Sequence, residues 1–172
     1  MEAMRRYDTR AGSVVLRPET KADDAFLFEL FAGHAGRPLK AAGLDADAMR
    51  TLLTLQYRAQ SGKHRASYPD AAYSIIESEG APIGRLIEAD EGECVYFADF
   101  AFLPERQAKG LGTALIEMIA DEWGARGRAA RVEVRSGNDH SLKLCANLGF
   151  ERTTEDVMGY VELRRAPRAK AG

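Results

Sequence analysis

Cysteine is scarce in this sequence, and the patterns that usually accompany a metal or a disulfide framework are missing. The two cysteines, Cys94 and Cys145, lie far apart and outside any Cys-x-x-Cys pair, which argues against structural zinc and against disulfide cross-links. The three histidines stand in unrelated contexts, and no His-Glu-x-x-His string occurs. We therefore predict neither a structural nor a catalytic metal.

Long hydrophobic runs and an excess of one charge are also lacking. No apolar stretch approaches the roughly 20 residues that a membrane-spanning helix requires, and the arginines near the N-terminus are followed by no apolar signal segment. The formal net charge of −2 gives no indication of a nucleic-acid surface. We therefore expect a cytoplasmic protein with neither a membrane nor a nucleic-acid partner.

The composition is that of a folded domain, with 172 residues of which 45% are hydrophobic. This length suits one domain over 1–172, and we expect residues 1–12 and 165–172 to be loosely held at its ends. Apolar periodicity and turn residues predict a mixed α/β order. Strands are expected at 13–17, 72–79, 83–89, 94–103, 130–135, 150–153 and 157–164, and helices at about 20–33, 45–62, 110–126 and 138–148.

The segment 102–114, FLPERQAKGLGTA, connects the most apolar predicted strand to an amphipathic helix. A glycine turn at a helix N-terminus presents unpaired backbone N–H groups and a partial positive charge, which suits a phosphate. The dinucleotide fingerprint fails because Leu115 stands where a third glycine is required, and no P-loop string occurs. The alternative is that Gly110 and Gly112 only permit a tight turn.

Two motifs resemble those of the GNAT N-acetyltransferase superfamily. The string Gln107-Ala108-Lys109-Gly110-Leu111-Gly112 is similar to the family's Arg/Gln-x-x-Gly-x-Gly/Ala signature. Downstream, Asn138 precedes a short predicted helix that ends in Leu-Gly-Phe at 148–150, as in the family's second motif. The resemblance implies an α/β fold with a mostly antiparallel sheet of six to seven strands, a splayed parallel pair and about four flanking helices.

The resemblance also implies acetyl-CoA as cosubstrate, without a metal. The CoA diphosphate would bind backbone amides of the glycine turn, the pantetheine arm would follow the preceding strand, and one amide, that of Phe102, would polarise the acetyl carbonyl. Asn138 would contact the pantetheine or line the space between the splayed strands. The residues implicated in CoA binding are Ala101, Phe102, Leu103, Gln107, Ala108, Lys109, Gly110, Leu111, Gly112, Thr113 and Asn138.

The implied reaction is direct attack of a primary amine on the thioester, which requires the amine to lose a proton. Asp99 is our candidate base because it is the only charge in the apolar run 94–103, and a buried carboxylate is costly unless it is paired or functional. The alternative is a structural role, with Asp99 paired to an arginine or placed at a bulge. Glu93 and Tyr96 are weaker candidates.

Cys145 marks a departure from the family pattern. Many members carry a tyrosine seven residues after the asparagine, where it protonates the departing CoA sulfur, and this chain has Cys145 there. A thiol can donate a proton but is a weak hydrogen-bond donor, so Cys145 is either the acid or a small packing residue. The departure also leaves open a catalytically impaired acyl-CoA sensor or interaction domain.

The acceptor is expected beside the second predicted helix. Gln56, Gln60 and His64 share one face if that helix continues past Gly62, and they either bind the acceptor or form a solvated surface. His64 is a second base candidate near neutral pH. The expected partner is then a small-molecule or peptide amine, and the acyl group is acetyl or longer. Because members of the family often dimerise, the resemblance also implies a possible homodimer.

Overall fold

A computed structural model describes residues 4–107 and 109–167. In these residues the chain forms eight strands and four α-helices, and short 3₁₀ turns at Lys21–Asp23 and Pro104–Arg106 precede α1 and the glycine turn. The strands are β1 (Arg5–Thr9), β2 (Gly12–Pro18), β3 (Ala72–Ser78), β4 (Ala81–Asp90), β5 (Cys94–Phe102), β6 (Ala129–Arg135), β7 (Glu151–Glu155) and β8 (Tyr160–Arg165). The helices are α1 (Asp24–Ala41), α2 (Ala46–Ser67), α3 (Leu111–Ala125) and α4 (Asp139–Asn147).

All the strands join one sheet in the order β1-β2-β3-β4-β5-β6-β8-β7. Only β5 and β6 pair in parallel, and the other neighbours are antiparallel. The predicted architecture, a mostly antiparallel sheet with one parallel pair and about four helices, is confirmed. The described part of the chain contains no helix that is long and apolar enough to cross a membrane.

The sheet has one strand more than the sequence predicted, because part of the N-terminal segment that we expected to be loosely held forms β1. Tyr7 lies opposite Val14 of β2 and is buried in the core. Burial of an aromatic side chain contributes stabilisation that offsets the entropy cost of ordering a short edge strand. Of the ends expected to be loose, residues 1–3 and 168–172 lie outside the described residues.

Helix α1 is longer than predicted, since it continues past the expected end at Gly33, through Gly36 and Pro38, to Ala41. A Cβ at Gly33 would lie 3.0 Å from Pro104 Cγ, and one at Gly36 would lie 3.7 Å from Leu53 of α2. Gly33 therefore permits close packing against Pro104 rather than ending the helix, whereas a Cβ at Gly36 would make only an ordinary van der Waals contact with Leu53. The prediction was wrong because a glycine's packing partners, distant in sequence, are invisible in the local pattern.

Helix α2 also extends beyond its predicted end. Its start is as expected: the Asp45 carboxylate accepts hydrogen bonds from the backbone amides of Asp47 and Ala48 at 3.0 and 2.9 Å, which satisfies two of the free N–H groups of the first turn. At the other end α2 continues through Gly62 to Ser67. The extension places His64 within the helix, as the predicted face of Gln56, Gln60 and His64 requires.

The core lies between the sheet and α3. Leu115 and Ile119 of α3 are fully buried against Leu86, Val95 and Leu163 of the sheet. Burying such a side chain stabilises the fold by roughly 1.5–3 kcal/mol. This packing fixes the N-terminus of α3, and with it the glycine turn, at the end of β5.

Candidate functional site

The two parallel strands separate at one end of the sheet. β5 and β6 pair from Cys94 opposite Ala129 to Tyr96 opposite Arg131. Beyond that point β5 continues to Phe102 beside β4, while β6 continues beside β8. The separation leaves a wedge between two strands whose facing edges are unpaired.

A shift of register in β5 accompanies the separation. Asp99 lies opposite Ile87, yet Phe97 lies opposite Glu88, so Ala98 is an extra residue in β5. Such a bulge increases the local twist and redirects the side chains that follow. It therefore helps to turn β5 away from β6 and to bring Asp99 to the cleft.

The wedge opens into a cleft of about 860 Å³. Its walls come from α1, α2, β4, β5, the glycine turn and the first turns of α3 and α4. The lining residues that matter for the site are Leu27, Leu30, Phe31, His34, Arg37, Gln60, Arg85, Asp99, Phe100, Ala101, Phe102, Arg106, Gln107, Lys109, Gly110, Gly112, Thr113, Asn138 and Leu144.

The glycine turn delivers free backbone N–H groups to this cleft. Gly110 adopts φ +75° immediately before α3, a left-handed conformation that favours glycine. The amide of Ala114 donates to the Gly110 carbonyl at 3.0 Å, so the amides of Leu111, Gly112 and Thr113 precede the first helical hydrogen bond. They stand at the positive end of the α3 dipole.

Gly112 serves a different purpose from Gly110. A Cβ at position 112 would lie 3.1 Å from Cε2 of Phe102 and 3.7 Å from Cε1 of Phe100. Glycine here lets α3 sit directly on the aromatic side chains of β5. Packing against β5 therefore restricts position 112 to a small residue.

The end of β5 offers its backbone alternately to β4 and to the wedge. The Leu103 amide donates to the Ile83 carbonyl at 2.9 Å, and the Ala101 carbonyl lies against Gly84 of β4. Because backbone groups alternate along a strand, those of Phe102 face the wedge. Of these three residues predicted to contact pantetheine, only Phe102 directs its backbone groups there.

Basic side chains surround the glycine turn. Arg106 and Lys109 come from the turn itself, and Arg37 comes from the part of α1 that the sequence analysis ended too early. Arg37 and Arg106 were not among the predicted site residues, although Arg37 lies seven residues, or two helical turns, after Leu30. The predicted Ala108 lies outside the described residues.

Asn138 also lies at the cleft. Its side-chain oxygen accepts from the Ser141 amide at 3.2 Å and caps α4. The predicted contact with a ligand therefore shares this side chain with a structural role. Of the remaining predicted CoA-binding residues, Gln107 and Thr113 line the cleft, whereas Leu111 contributes only its amide to the turn.

Asp99 lines the cleft and forms an ion pair with Arg85 of β4. The buried guanidinium donates to Oδ2 of Asp99 from Nε at 2.8 Å and from Nη2. The arginine pairing that we considered as the structural alternative is thus present. Gln60 of α2 lies on the same part of the wall.

His64 of α2 is near enough to this pair to be influenced by both of its charges. Of the three predicted acceptor residues, Gln60 lines the cleft, whereas Gln56 and His64 are not among its lining residues. Its Nδ1 is buried and has no hydrogen-bond partner in the described part of the chain. Burial lowers the pKa of His64, with a smaller opposing influence from the Asp99 charge and a reinforcing one from Arg85. The imidazole is therefore neutral near pH 7.

The weaker base candidates lie away from the cleft. Glu93 is exposed just before β5. Tyr96 lies in the paired part of β5, where its hydroxyl donates to Glu133 at 3.2 Å. Burial, helped by the Glu133 charge, raises the pKa of Tyr96, so its phenol stays protonated and cannot act as a base near neutral pH.

Cys145 of α4 packs against the core. Its side chain joins the periphery of the core cluster, and Leu144, not Cys145, lines the cleft. Burial raises the pKa of the Cys145 thiol to about 11. These observations match the packing role that the sequence analysis weighed against the acid role.

We compared the chain with a family profile, with curated proteins and with solved structures. The sequence profile described as the Acetyltransferase (GNAT) family matches residues 44–150, whereas a search of the curated proteins finds no match. Among solved structures, the chain is similar to the PaiA N-acetyltransferase from Thermoplasma acidophilum in complex with coenzyme A, with a TM-score of 0.65 and 14% identity over 89% of this chain and 98% of that one.

Two further solved structures share the fold. The ribosomal-protein-S18-alanine N-acetyltransferase from Escherichia coli matches with a TM-score of 0.60 and 18% identity, over 92% of this chain and 96% of that one. RimJ from Mycobacterium smegmatis, in complex with CoA-disulfide, matches with a TM-score of 0.65 and 18% identity, over 98% and 89%. The similarity spans nearly the whole of each protein.

Proposed function

The chain belongs to the Acetyltransferase (GNAT) family, and from this premise we propose that it is an acetyl-CoA-dependent N-acetyltransferase. Residues 1–172 act in this proposal as one catalytic domain. The acetyl group passes to a primary amine by direct attack on the thioester. The observation that carries the proposal is the meeting of a free helix N-terminus and a wedge between separated strands in one cleft.

The residues around the glycine turn suit the CoA diphosphate. The amides of Leu111, Gly112 and Thr113 provide convergent donors, and Lys109 and Arg106 provide positive charge beside them. The CoA complexes of the PaiA N-acetyltransferase and RimJ, which share the fold, support this assignment. The pantetheine arm then extends along β5 to the wedge, where the amide of Phe102 is available, whereas its carbonyl already accepts from His34 and Gln107.

When bound, acetyl-CoA supplies a thioester carbonyl that an amine can attack. The Phe102 amide donates a hydrogen bond to the carbonyl oxygen as negative charge develops on it. Holding the thioester and the amine in one cleft supplies much of the rate. Asn138 lines the opposite side, at the start of α4.

The acceptor occupies the part of the cleft formed by α1, α2 and β5. Asp99 and Gln60 offer polar contacts for an amine, and Leu27 and Phe31 offer an apolar wall. Asp99 is our proposed base for the ammonium proton, and His64, neutral near pH 7 and next to the ion pair, is the second candidate.

The departing sulfur needs no acid from α4 in this proposal. When the neutral amine attacks, its nitrogen becomes cationic, the C–S bond breaks, and the proton lost from nitrogen balances the CoA thiol that is released. Cys145 keeps a packing role. This arrangement also supports a second candidate function, an acyl-CoA sensor that binds the ligand without turning it over.

Release of CoA thiol from acetyl-CoA, measured with a panel of amines, tests the proposal. The panel comprises polyamines, amino acids, aminoglycosides and peptides with free N-termini; peptides belong there because a structural relative is described as a ribosomal-protein alanine N-acetyltransferase. We expect turnover with at least one class and calorimetric binding of acetyl-CoA. Binding with no turnover for any amine would favour the sensor, and absence of binding would refute both functions.

A further inference from the structure

One face of α1 lines the cleft along much of the helix. Leu27, Leu30, His34 and Arg37 recur at spacings of three and four residues, Phe31 lies four residues after Leu27, and all of them contribute to the cleft wall. The stripe is apolar near the start of the helix and basic toward its end. The basic end is the part that lies opposite the glycine turn.

Direct contacts hold this end of α1 to the turn. His34 Nε2 lies 2.8 Å from the Phe102 carbonyl and donates to it, and the Gln107 side-chain amide donates to the same oxygen at 3.1 Å. Gly33 lies against Pro104, where no larger residue would fit without displacement. The position of Arg37, one turn beyond His34, is therefore fixed relative to the turn.

The charges in this region do not cancel. Arg37, Arg106 and Lys109 line the same cleft, and none of them forms an ion pair within residues 4–107 and 109–167. The acidic group of the cleft wall, Asp99, is already paired with Arg85. Three cations that line one cleft without acidic partners make its potential positive, which favours the binding of an anion there.

We propose that α1 provides the second wall of the CoA phosphate site, with Arg37 binding a phosphate group from the side opposite the α3 amides. His34 is a positioning residue in this arrangement, because its hydrogen bond to the Phe102 carbonyl holds α1 against the turn. The inference rests on the proposed function, since it assumes that CoA occupies the cleft. The phosphate is either the diphosphate or the 3′-phosphate of CoA.

Calorimetry with three ligands separates these sources: acetyl-CoA, its dephospho form, which lacks the 3′-phosphate, and S-acetylpantetheine, which lacks every phosphate. We expect Arg37→Gln to weaken acetyl-CoA binding about 5- to 30-fold, the loss of a charge-assisted hydrogen bond. S-acetylpantetheine, titrated by NMR if it binds weakly, should bind the variant and the unmodified protein equally. A loss that persists with the dephospho form assigns Arg37 to the diphosphate, and one that disappears assigns it to the 3′-phosphate.

Two controls accompany the variant. Arg37→Lys keeps the charge and should recover most of the affinity, whereas Arg50→Gln, on an exposed part of α2 outside the cleft, should leave binding unchanged. Salt should weaken acetyl-CoA binding more steeply in the unmodified protein than in Arg37→Gln.

An equal loss with S-acetylpantetheine, or no loss with acetyl-CoA, would overturn the inference while leaving the enzyme assignment intact. Failure of the unmodified protein to bind acetyl-CoA at all would instead refute the proposed function.

Discussion

The substitution Gly84→Ala tests how closely β4 packs against the end of β5. Gly84 lies opposite Phe102, and a Cβ there would lie 2.4 Å from the Ala101 carbonyl oxygen. Real Cβ contacts essentially never fall below 3.0 Å. Because the clashing atom belongs to the backbone of β5, the two strands must separate by at least about 0.6 Å. The neighbouring hydrogen bond from Leu103 to Ile83 would lengthen as well.

We therefore expect Gly84→Ala to lower the free energy of unfolding by about 2–3 kcal/mol, the upper part of the range for overpacking, because no side-chain rotation relieves a backbone contact. Urea denaturation measures this change. Since the displaced residues border the wedge, acetyl-CoA affinity should fall in parallel, measured by calorimetry on the folded variant.

Gly62→Ala is the matched control for this experiment. Gly62 lies within α2, and a Cβ there meets no atom within 4 Å. The substitution should stabilise the protein by about 0.5–1 kcal/mol, as alanine does in a helix interior, and leave acetyl-CoA binding unchanged. If Gly84→Ala proved as stable as the unmodified protein, that result would contradict the close approach of β4 to β5 described at Gly84.

Three further substitutions test the turn and the acceptor wall. Gly110→Ala forces a left-handed conformation on a residue with a Cβ and should lower the free energy of unfolding by about 1–2 kcal/mol. It should also weaken acetyl-CoA binding. An unchanged dissociation constant for acetyl-CoA would show that the turn is not part of the site. Asp99→Asn should slow turnover and shift its pH profile; an unaltered profile would return Asp99 to a structural role. The same substitution should destabilise the fold by roughly 1–3 kcal/mol, because Arg85 loses its ionic partner. Burial lowers the pKa of His64 below 6.5, so the unfolded chain binds the proton first as the pH falls. The native protein should therefore lose stability from about pH 6.5 downward, and His64→Gln should remove that loss. Identical pH dependence of the urea midpoints in both proteins would contradict this.

The parts of the site that follow from local chemistry were predictable. The apolar spacing around Leu115 and Ile119, together with glycine at 110, placed the start of α3 within one residue of its observed position at Leu111. The motif then predicted that the turn binds an anion. Asp99 was recognised as an unusual charge, since any carboxylate in an apolar strand requires a partner or a function.

Other features depend on contacts between distant segments, and the sequence pattern did not contain them. Gly33 suggested the end of α1 because its packing partner, Pro104, is distant in the sequence, and that error concealed Arg37. The strand β1 was missed because its stability comes from Tyr7 packing in the core. The choice of Arg85 as the partner of Asp99 was equally inaccessible, because it requires the register of β4 against β5.

The most direct test of the central claim is a crystal structure of the protein with acetyl-CoA. We predict that diphosphate oxygens accept hydrogen bonds from the amides of Leu111, Gly112 and Thr113 at about 2.7–3.2 Å, with the thioester between β5 and β6. Well-ordered CoA bound elsewhere, with these amides facing only solvent, would contradict the account.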